Sequence, residues 1–199
     1  MKQGIENKVV SRIYGKNRGW VFTPNHFLDL GSRAAVGKAL ERLAKAGTIR
    51  RLTRGLYDYP EKHPILGDLP ANYERIAQAL AGRDNLKIQP SGAYAANLLG
   101  LTEQVPARIV FLTDGPNRIV QINKQKIVLK RTTPKNMVTA GRMSGLIIQA
   151  LRHLGQDHIK DSIIEILKKR LSSDDKCQLM KDIRYAPVWI GNIFRQLQK

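Results

Sequence analysis

The sequence predicts an α+β protein in two parts, and three observations lead to this expectation. Apolar residues recur at helical spacing near the N-terminus and again from about residue 142, and alternating runs bounded by turn residues lie between them. A hydrophobic share of 42% in 199 residues is enough for a packed core.

No apolar stretch reaches the ~20 residues of a membrane span. Residues Met1–Lys8 also lack the apolar run of a secretory signal, so we expect a cytoplasmic protein without membrane contact.

The charge is large and unevenly distributed. The chain has 34 Lys and Arg against 16 Asp and Glu, a net charge of +18. Residues 1–60 carry a net +8 and residues 107–135 a net +6, whereas residues 61–106 carry −1. Because charge that serves only solubility would not cluster in this way, the two basic segments predict two surfaces for a polyanionic partner, most often nucleic acid.

The first sixty residues predict three helices followed by a hairpin. Ile5, Val9 and Ile13 form the apolar stripe of a first helix. Thr23 and Pro24 begin a short second helix, Pro24–Leu30, which Gly31 ends. Ser32 caps a third helix from Arg33 to about Ala46. Two strands then follow, at Thr48–Leu52 and Leu56–Pro60, and the turn between them contains Arg and Gly.

The third helix has one apolar face and one small, basic face. Val36, Leu40 and Leu43 lie on the apolar arc. Three helices and a basic hairpin, with only Gly31 and Ser32 between the second and third helices, are the order of a winged helix-turn-helix. The candidate DNA-binding residues are Ser32, Arg33, Lys38 and Arg42 on the helix and Arg50, Arg51 and Arg54 on the wing. The alternative is a small helical packing domain whose Lys and Arg side chains are only solvated.

These residues also resemble a known family. The run Ser32–Val36, then Leu40, Leu43 and Gly47-Thr48-Ile49, and then Arg54-Gly55-Leu56-Tyr57, resembles the N-terminal domain of AbiEi-like antitoxins. These are transcriptional regulators of type IV (abortive infection) toxin–antitoxin systems. The segment Pro90–Leu101, followed by Pro106 and a strand at Arg108–Thr113, is similar to the start of that family's C-terminal part. The resemblance covers roughly residues 5–135.

The resemblance implies a DNA-binding repressor that acts as an antitoxin. Its N-terminal domain would bind the promoter of its own operon, and its C-terminal part would neutralise a cognate toxin. The partners would be double-stranded DNA and that toxin. A protein-interaction module that sequesters the toxin directly, a solitary regulator without a toxin, and RNA binding through the same basic surfaces remain alternatives.

The middle of the chain predicts a linker and a second domain. Pro and Gly residues at 60–70 indicate a linker over 61–70, between a first domain at 1–60 and a second at 71–199. We expect helices at 71–81 and 91–99 and a strand at 86–88. An antiparallel meander is expected over 108–113, 118–122 and 126–131. Its second basic surface comprises Arg108, Arg118, Lys124, Lys126, Lys130 and Arg131, and nucleic acid backbone, an acidic toxin or only water could meet it.

The tail from about residue 142 predicts a series of helices. Their apolar stripes indicate core or an interface, and the last stripe, which starts after Pro187, makes a homodimer conceivable.

Catalytic and metal-binding patterns are missing from the sequence. The histidines are scattered, at His26, His63, His153 and His158, and the single cysteine, Cys177, has no neighbouring His. We therefore expect no enzyme, no cofactor and no metal.

Overall fold

A computed structural model gives the fold and describes residues 4–82 and 86–198. The chain divides into two compact units, Met1–Leu86 and Lys87–Lys199, and each is described by itself. The expected α+β class with C-terminal helices is confirmed. In the described residues, every helix is too short or too polar to cross a membrane.

The first unit contains three α-helices, one 3₁₀ helix and five short strands among its described residues. They are α1 (Ile5–Gly15), β1 (Val21–Phe22), the 3₁₀ helix (Pro24–Phe27), α2 (Arg33–Lys45), β2 (Arg50–Thr53), β3 (Leu56–Asp58), β4 (Lys62–His63), β5 (Gly67–Asp68) and α3 (Tyr73–Ala81).

The core of this unit forms where the sequence places its apolar stripes. Val9 and Ile13 of α1 and Val36 and Leu40 of α2 are fully buried in one cluster. The aromatic residue Phe27 closes the same cluster from the 3₁₀ helix. Burial of such side chains contributes about 1.5–3 kcal/mol each, so this cluster holds α2 in place.

The second predicted helix is shorter than expected. Instead of an α-helix over Pro24–Leu30, the chain makes one 3₁₀ turn at Pro24–Phe27 and a further turn to Leu30. The amide of Leu30 donates to the carbonyl of Phe27, which keeps the three-residue hydrogen-bond spacing of a 3₁₀ helix. Leu28 is exposed, so the segment lacks the continuous apolar stripe that would extend it.

The predicted hairpin is present and belongs to a three-stranded sheet in the order β1-β3-β2. Tyr57 of β3 lies opposite Phe22 of β1 on one side and Arg51 of β2 on the other. Gly55 in the connecting turn has φ +74°, a conformation that favours glycine. The strands are slightly shorter than the predicted 48–52 and 56–60.

The boundary between the units does not fall in the predicted linker. Residues 61–70 contain the small hairpin of β4 and β5, and α3 packs against β1 of the first unit. The boundary lies at residues 86 and 87, so 61–82 extend the first unit beyond the predicted domain 1–60. The physical reason is the apolar face of α3, where Ile76 and Ala77 are buried.

The second unit contains a four-stranded sheet and the C-terminal helices. The strands and α-helices are β6 (Ile88–Ser91), α4 (Gly92–Leu98), β7 (Arg108–Thr113), β8 (Arg118–Ile122), β9 (Gln125–Arg131), α5 (Pro134–Met137), α6 (Met143–Leu154), α7 (Asp161–Arg170), α8 (Ser173–Asp182) and α9 (Val188–Gln198). Two 3₁₀ helices also occur, at Gln156–His158 and Ile183–Tyr185.

The predicted antiparallel meander is wrong in its topology. The strand order is β6-β7-β9-β8, with β9 parallel to β7 and antiparallel to β8. Three successive residues of β9, Ile127–Leu129, are buried, whereas β8 is mostly exposed. A strand buried on both faces is stable at the centre of a sheet, so β9 lies between β7 and β8 and leaves β8 at the edge.

The helices of this unit enclose one apolar cluster. Residues of α4, α6, α7, α8 and α9 contribute to it, including Phe194. A polar network joins α8 to the start of α6: buried Asp182 accepts from Arg142 Nη1 at 2.7 Å, from Ser144 Oγ at 2.5 Å and from Gln178 Nε2 at 3.0 Å. These bonds satisfy a carboxylate that is 2% exposed.

Candidate nucleic-acid interface

The exposed face of α2 carries three of the predicted DNA-binding side chains, Arg33, Lys38 and Arg42. Ser32 caps this helix, and its Oγ accepts from the amide of Ala35 at 3.3 Å. The main role of Ser32 is therefore to cap α2, because its hydroxyl satisfies one of the unpaired amides at the start of the helix.

Two acidic side chains moderate the charge of this face. Arg42 Nη1 lies 3.3 Å from Glu6 Oε2, and Lys45 Nζ lies 3.3 Å from Glu41 Oε1. All four side chains are at least 41% exposed. Exposed pairs contribute about 0–1 kcal/mol, so a polyanion can compete for both cations at low cost.

Arg12 of α1 binds both the 3₁₀ helix and the turn that follows it. Arg12 donates to both carboxylate oxygens of Asp29, at 2.8 and 2.6 Å, and to the carbonyl of His26 at 2.7 Å. The hydrogen bond to Asp29 raises the pKa of Arg12 above its usual value, against the opposing effect of burial. Because these bonds join α1 to the turn before α2, they restrict movement of that turn.

On the hairpin, Arg51 and Arg54 are exposed. Arg54 lies in the turn between β2 and β3. Arg51 lines a shallow crevice of about 230 Å³ together with Glu41, Lys45 and Tyr57. The hairpin and the C-terminal half of α2 thus present basic side chains side by side.

Arg50 is the exception among the predicted wing residues. Its Nε and Nη2 donate to the two carboxylate oxygens of Asp58 at 3.1 and 2.6 Å, and Nη2 also donates to the carbonyl of Leu69 at 2.9 Å. Asp58 is 1% exposed, so the guanidinium neutralises a buried carboxylate. Arg50 is therefore not a candidate DNA contact, because binding a phosphate would break its ion pair with Asp58 and leave a buried carboxylate without its partner.

Burial and Arg50 have opposite effects on the pKa of the Asp58 carboxyl. Burial raises the pKa of its carboxyl above 3.8, and the hydrogen bonds and charge of Arg50 only partly oppose that rise. Loss of Arg50 would therefore raise the pKa of Asp58 further.

The structure divides the second predicted basic surface between the two faces of the larger sheet. Arg108, Lys126 and Lys130 lie on one face according to the strand register. Arg118 and Arg131 belong to the opposite face, and Lys124 lies in the turn between β8 and β9. Only the first three form a common basic surface, because each strand alternates its side chains between the two faces.

Sequence reasoning missed a second group of cations in the first unit. Lys16, Arg18 and Arg75 line one cavity, although Arg75 is far from the other two in the sequence. The sequence signal for this group was the basic turn Lys16-Asn17-Arg18 between Gly15 and Gly19. Among the described residues, no three His, Cys, Asp or Glu side chains are grouped so that they could hold a metal ion.

No curated protein matches the chain. The crystal structure of the RV2827C protein from Mycobacterium tuberculosis is similar with a TM-score of 0.47 and 14% sequence identity, over 98% of this chain and 76% of that one. Residues 8–179 match the model of a family of unknown function, DUF6088, and the chain therefore belongs to the DUF6088 family.

Proposed function

We propose that the first unit is a winged helix-turn-helix that binds duplex DNA. In this assignment, the 3₁₀ turn at Pro24–Phe27 takes the place of the second helix and α2 is the recognition helix. The hairpin of β2 and β3 is the wing. The order of these elements and the turn before α2 support the assignment.

The exposed basic face of α2 is the observation that carries the proposal. Arg33 and Lys38 are exposed on either side of Gly37. Apart from its chain neighbours and the backbone of its own helix, no described atom lies within 4 Å of a Cβ built on Gly37. A glycine inside a helix costs about 0.8–1.0 kcal/mol relative to alanine, and here no packing contact accounts for it. A flat, cationic helix face of this kind can approach the floor of a major groove closely.

The wing supplies contacts to the backbone of the duplex. Arg51 and Arg54 are exposed on the strand and at the turn, where they can bind phosphates. Such contacts fix the position of the recognition helix without reading the sequence.

For the biological role, we propose a transcriptional repressor that acts as the antitoxin of a type IV toxin–antitoxin system. The resemblance of residues 5–135 to AbiEi-like antitoxins supports this role. The repressor would bind the promoter of its own operon through the first unit and neutralise its toxin through the second.

A direct test measures the binding of the full chain to labelled duplex DNA from upstream of its own gene. We expect Arg33→Gln to weaken binding by about 1–3 kcal/mol if it contacts a base edge. Arg54→Gln should reduce the slope of log affinity against log salt by about 0.9. Lys62→Gln is the matched control, since it removes one exposed charge of the same unit.

If Arg33→Gln and Arg54→Gln bind like Lys62→Gln, α2 and the hairpin are not the interface. If duplex RNA competes better than duplex DNA of the same length, the partner is RNA.

A second candidate function, direct sequestration of an acidic protein partner, has one supporting observation in the second unit. The sheet face that holds Arg108, Lys126 and Lys130 also holds Ile119, a residue that is 61% exposed. A mixed basic and apolar face can bind an acidic protein through both kinds of contact.

Co-purification with the product of the neighbouring gene tests this candidate at about 0.5 M salt, where screening leaves mostly apolar contact. Retention of the complex, and its loss in an Ile119→Glu variant, would support sequestration. Release of the partner from the wild-type protein at that salt would count against it.

A further inference from the structure

The first unit contains a cavity of about 390 Å³ that the DNA-binding proposal does not use. The turn after α1, the 3₁₀ helix and α3 form its walls. The lining residues are Lys16, Asn17, Arg18, Trp20, Val21, His26, Arg75, Gln78 and Ala79.

The cavity is strongly cationic. Lys16, Arg18 and Arg75 all line it, and none of the lining residues that the structure describes is an acid. Glu61 lies outside the lining, and its Oε2 is 3.9 Å from Nη1 of Arg75. At 58% exposure this carboxylate is a weak competitor, so the cavity favours an anion.

Backbone contacts hold the two arginines in position. Arg18 Nη1 donates to the carbonyl of Pro60 at 3.0 Å, and its guanidinium lies 4.5 Å from the centre of the Tyr59 ring. Arg75 Nη1 donates to the carbonyl of Arg18 at 3.5 Å. Two guanidinium groups that are already oriented lose less freedom when they bind an anion.

Gly19 is the residue that permits this arrangement. It has φ +83°, and a Cβ at this position would overlap with Nη1 of Arg75. Any larger residue would therefore move the guanidinium away from the loop. The amide of Gly19 donates to the carbonyl of Tyr59 at 2.6 Å, which holds the loop itself.

Aromatic groups complete the lining. The Trp20 indole is half-buried and packs edge-on to His26, with ring centres 5.7 Å apart. His26 Nδ1 accepts a hydrogen bond from the amide of Thr23 at 3.1 Å. This bond holds the imidazole at the start of the 3₁₀ helix, beside the indole.

We propose that this cavity binds a small phosphate monoester about the size of a mononucleotide. Arginine forks match phosphate oxygens in geometry, and the indole provides a planar apolar wall for a ring. The volume lies in the usual range for small-molecule sites, about 300–1,000 Å³. This site is additional to the DNA interface, and its test does not require DNA binding.

The experiment follows Trp20 fluorescence in the full chain with Trp189→Phe, which leaves one indole in the protein. The probes are AMP, inorganic phosphate and uncharged adenosine. We expect AMP to bind most tightly and adenosine at least about tenfold more weakly. Equal affinity for AMP and adenosine, or no saturation by AMP below about 10 mM, would overturn the proposal.

Two variants assign the binding to this cavity. Arg75→Gln and Gly19→Ala should each weaken AMP binding by about tenfold or more, the second with every charge retained. Lys62→Gln is the control and should bind like the parent protein. If Arg75→Gln binds AMP like the control, the cavity is not the site. The Arg75→Gln variant decides this by itself, even if Gly19→Ala does not fold.

A final arm adds duplex DNA to the AMP complex. Coexistence of both ligands is expected for separate sites. Displacement of AMP by the duplex would overturn a separate ligand site and assign Arg18 and Arg75 to DNA phosphates. If the duplex does not bind at all, the DNA-binding proposal fails while the AMP titration still stands.

Discussion

The two arginines of the hairpin, Arg50 and Arg54, make a sharp prediction when each is replaced by glutamine. Both changes remove one positive charge from the same small sheet. Arg50 neutralises buried Asp58 through contacts at 3.1 and 2.6 Å, whereas Arg54 is exposed in the turn. We expect Arg50→Gln to destabilise the first unit and Arg54→Gln to leave its stability unchanged.

The size of the effect follows from burial. Removal of one partner from a buried ion pair costs about 3–5 kcal/mol because it leaves an uncompensated charge. Asp58 is 1% exposed but the Arg50 side chain is 34% exposed, so water screens part of the pair, and we expect about 3 kcal/mol. For a unit of this size, 1 kcal/mol shifts Tm by about 4–8 °C, which gives a decrease of roughly 12–24 °C.

The pH dependence gives the prediction a second readout. Burial raises the pKa of Asp58 above 3.8, so the folded state binds more protons than the unfolded state just above that pH, and this contribution to stability is lost as the pH rises. Without Arg50 the pKa rises further. The cost of Arg50→Gln should therefore be larger at pH 7 than at about pH 4.5, where Asp58 is closer to protonation.

The assay is thermal unfolding followed by Trp20 emission in the Trp189→Phe background, at both pH values. If Arg50→Gln melts within about 2 °C of Arg54→Gln at pH 7, the buried pair contributes nothing and the reasoning is refuted. A cost for Arg50→Gln that grows in acid would refute the account of Asp58.

Three further changes have expected outcomes by the same kind of measurement. Ser32→Ala removes the cap of α2 and should cost about 1 kcal/mol in the first unit, and an unchanged midpoint would contradict the capping role. Gly37→Ala should stabilise that unit by about 0.5–1 kcal/mol, because a Cβ at this position meets open space; a loss of stability would reveal a missed contact. Ser144→Ala removes a 2.5 Å hydrogen bond to buried Asp182 and should lower the stability of the second unit by about 1–3 kcal/mol, measured by Trp189 emission in a Trp20→Phe background.

Local patterns predicted much of the fold. The 3.6-residue period of Val36, Leu40 and Leu43 predicted which face of α2 is buried, and all three residues are buried. The turn residues predicted the hairpin of β2 and β3, and the tail from about residue 142 is helical as expected. Each of these features depends on residues that are near one another in the chain, so composition and spacing were sufficient.

Features that depend on distant residues were not predicted. The position of β9 between β7 and β8 depends on which strand buries both faces, and alternation within one strand does not reveal this. In the sequence, Arg50 cannot be distinguished from Arg51 and Arg54 as a wing residue. Only the fold shows that buried Asp58 lies opposite it. The cationic cavity likewise needs Arg75 of α3 beside a loop from the other end of the unit. Sequence spacing thus defined the helix faces and turns, whereas chain folding alone brought together the charges that compensate or reinforce one another, because electrostatic interactions depend on distance in space.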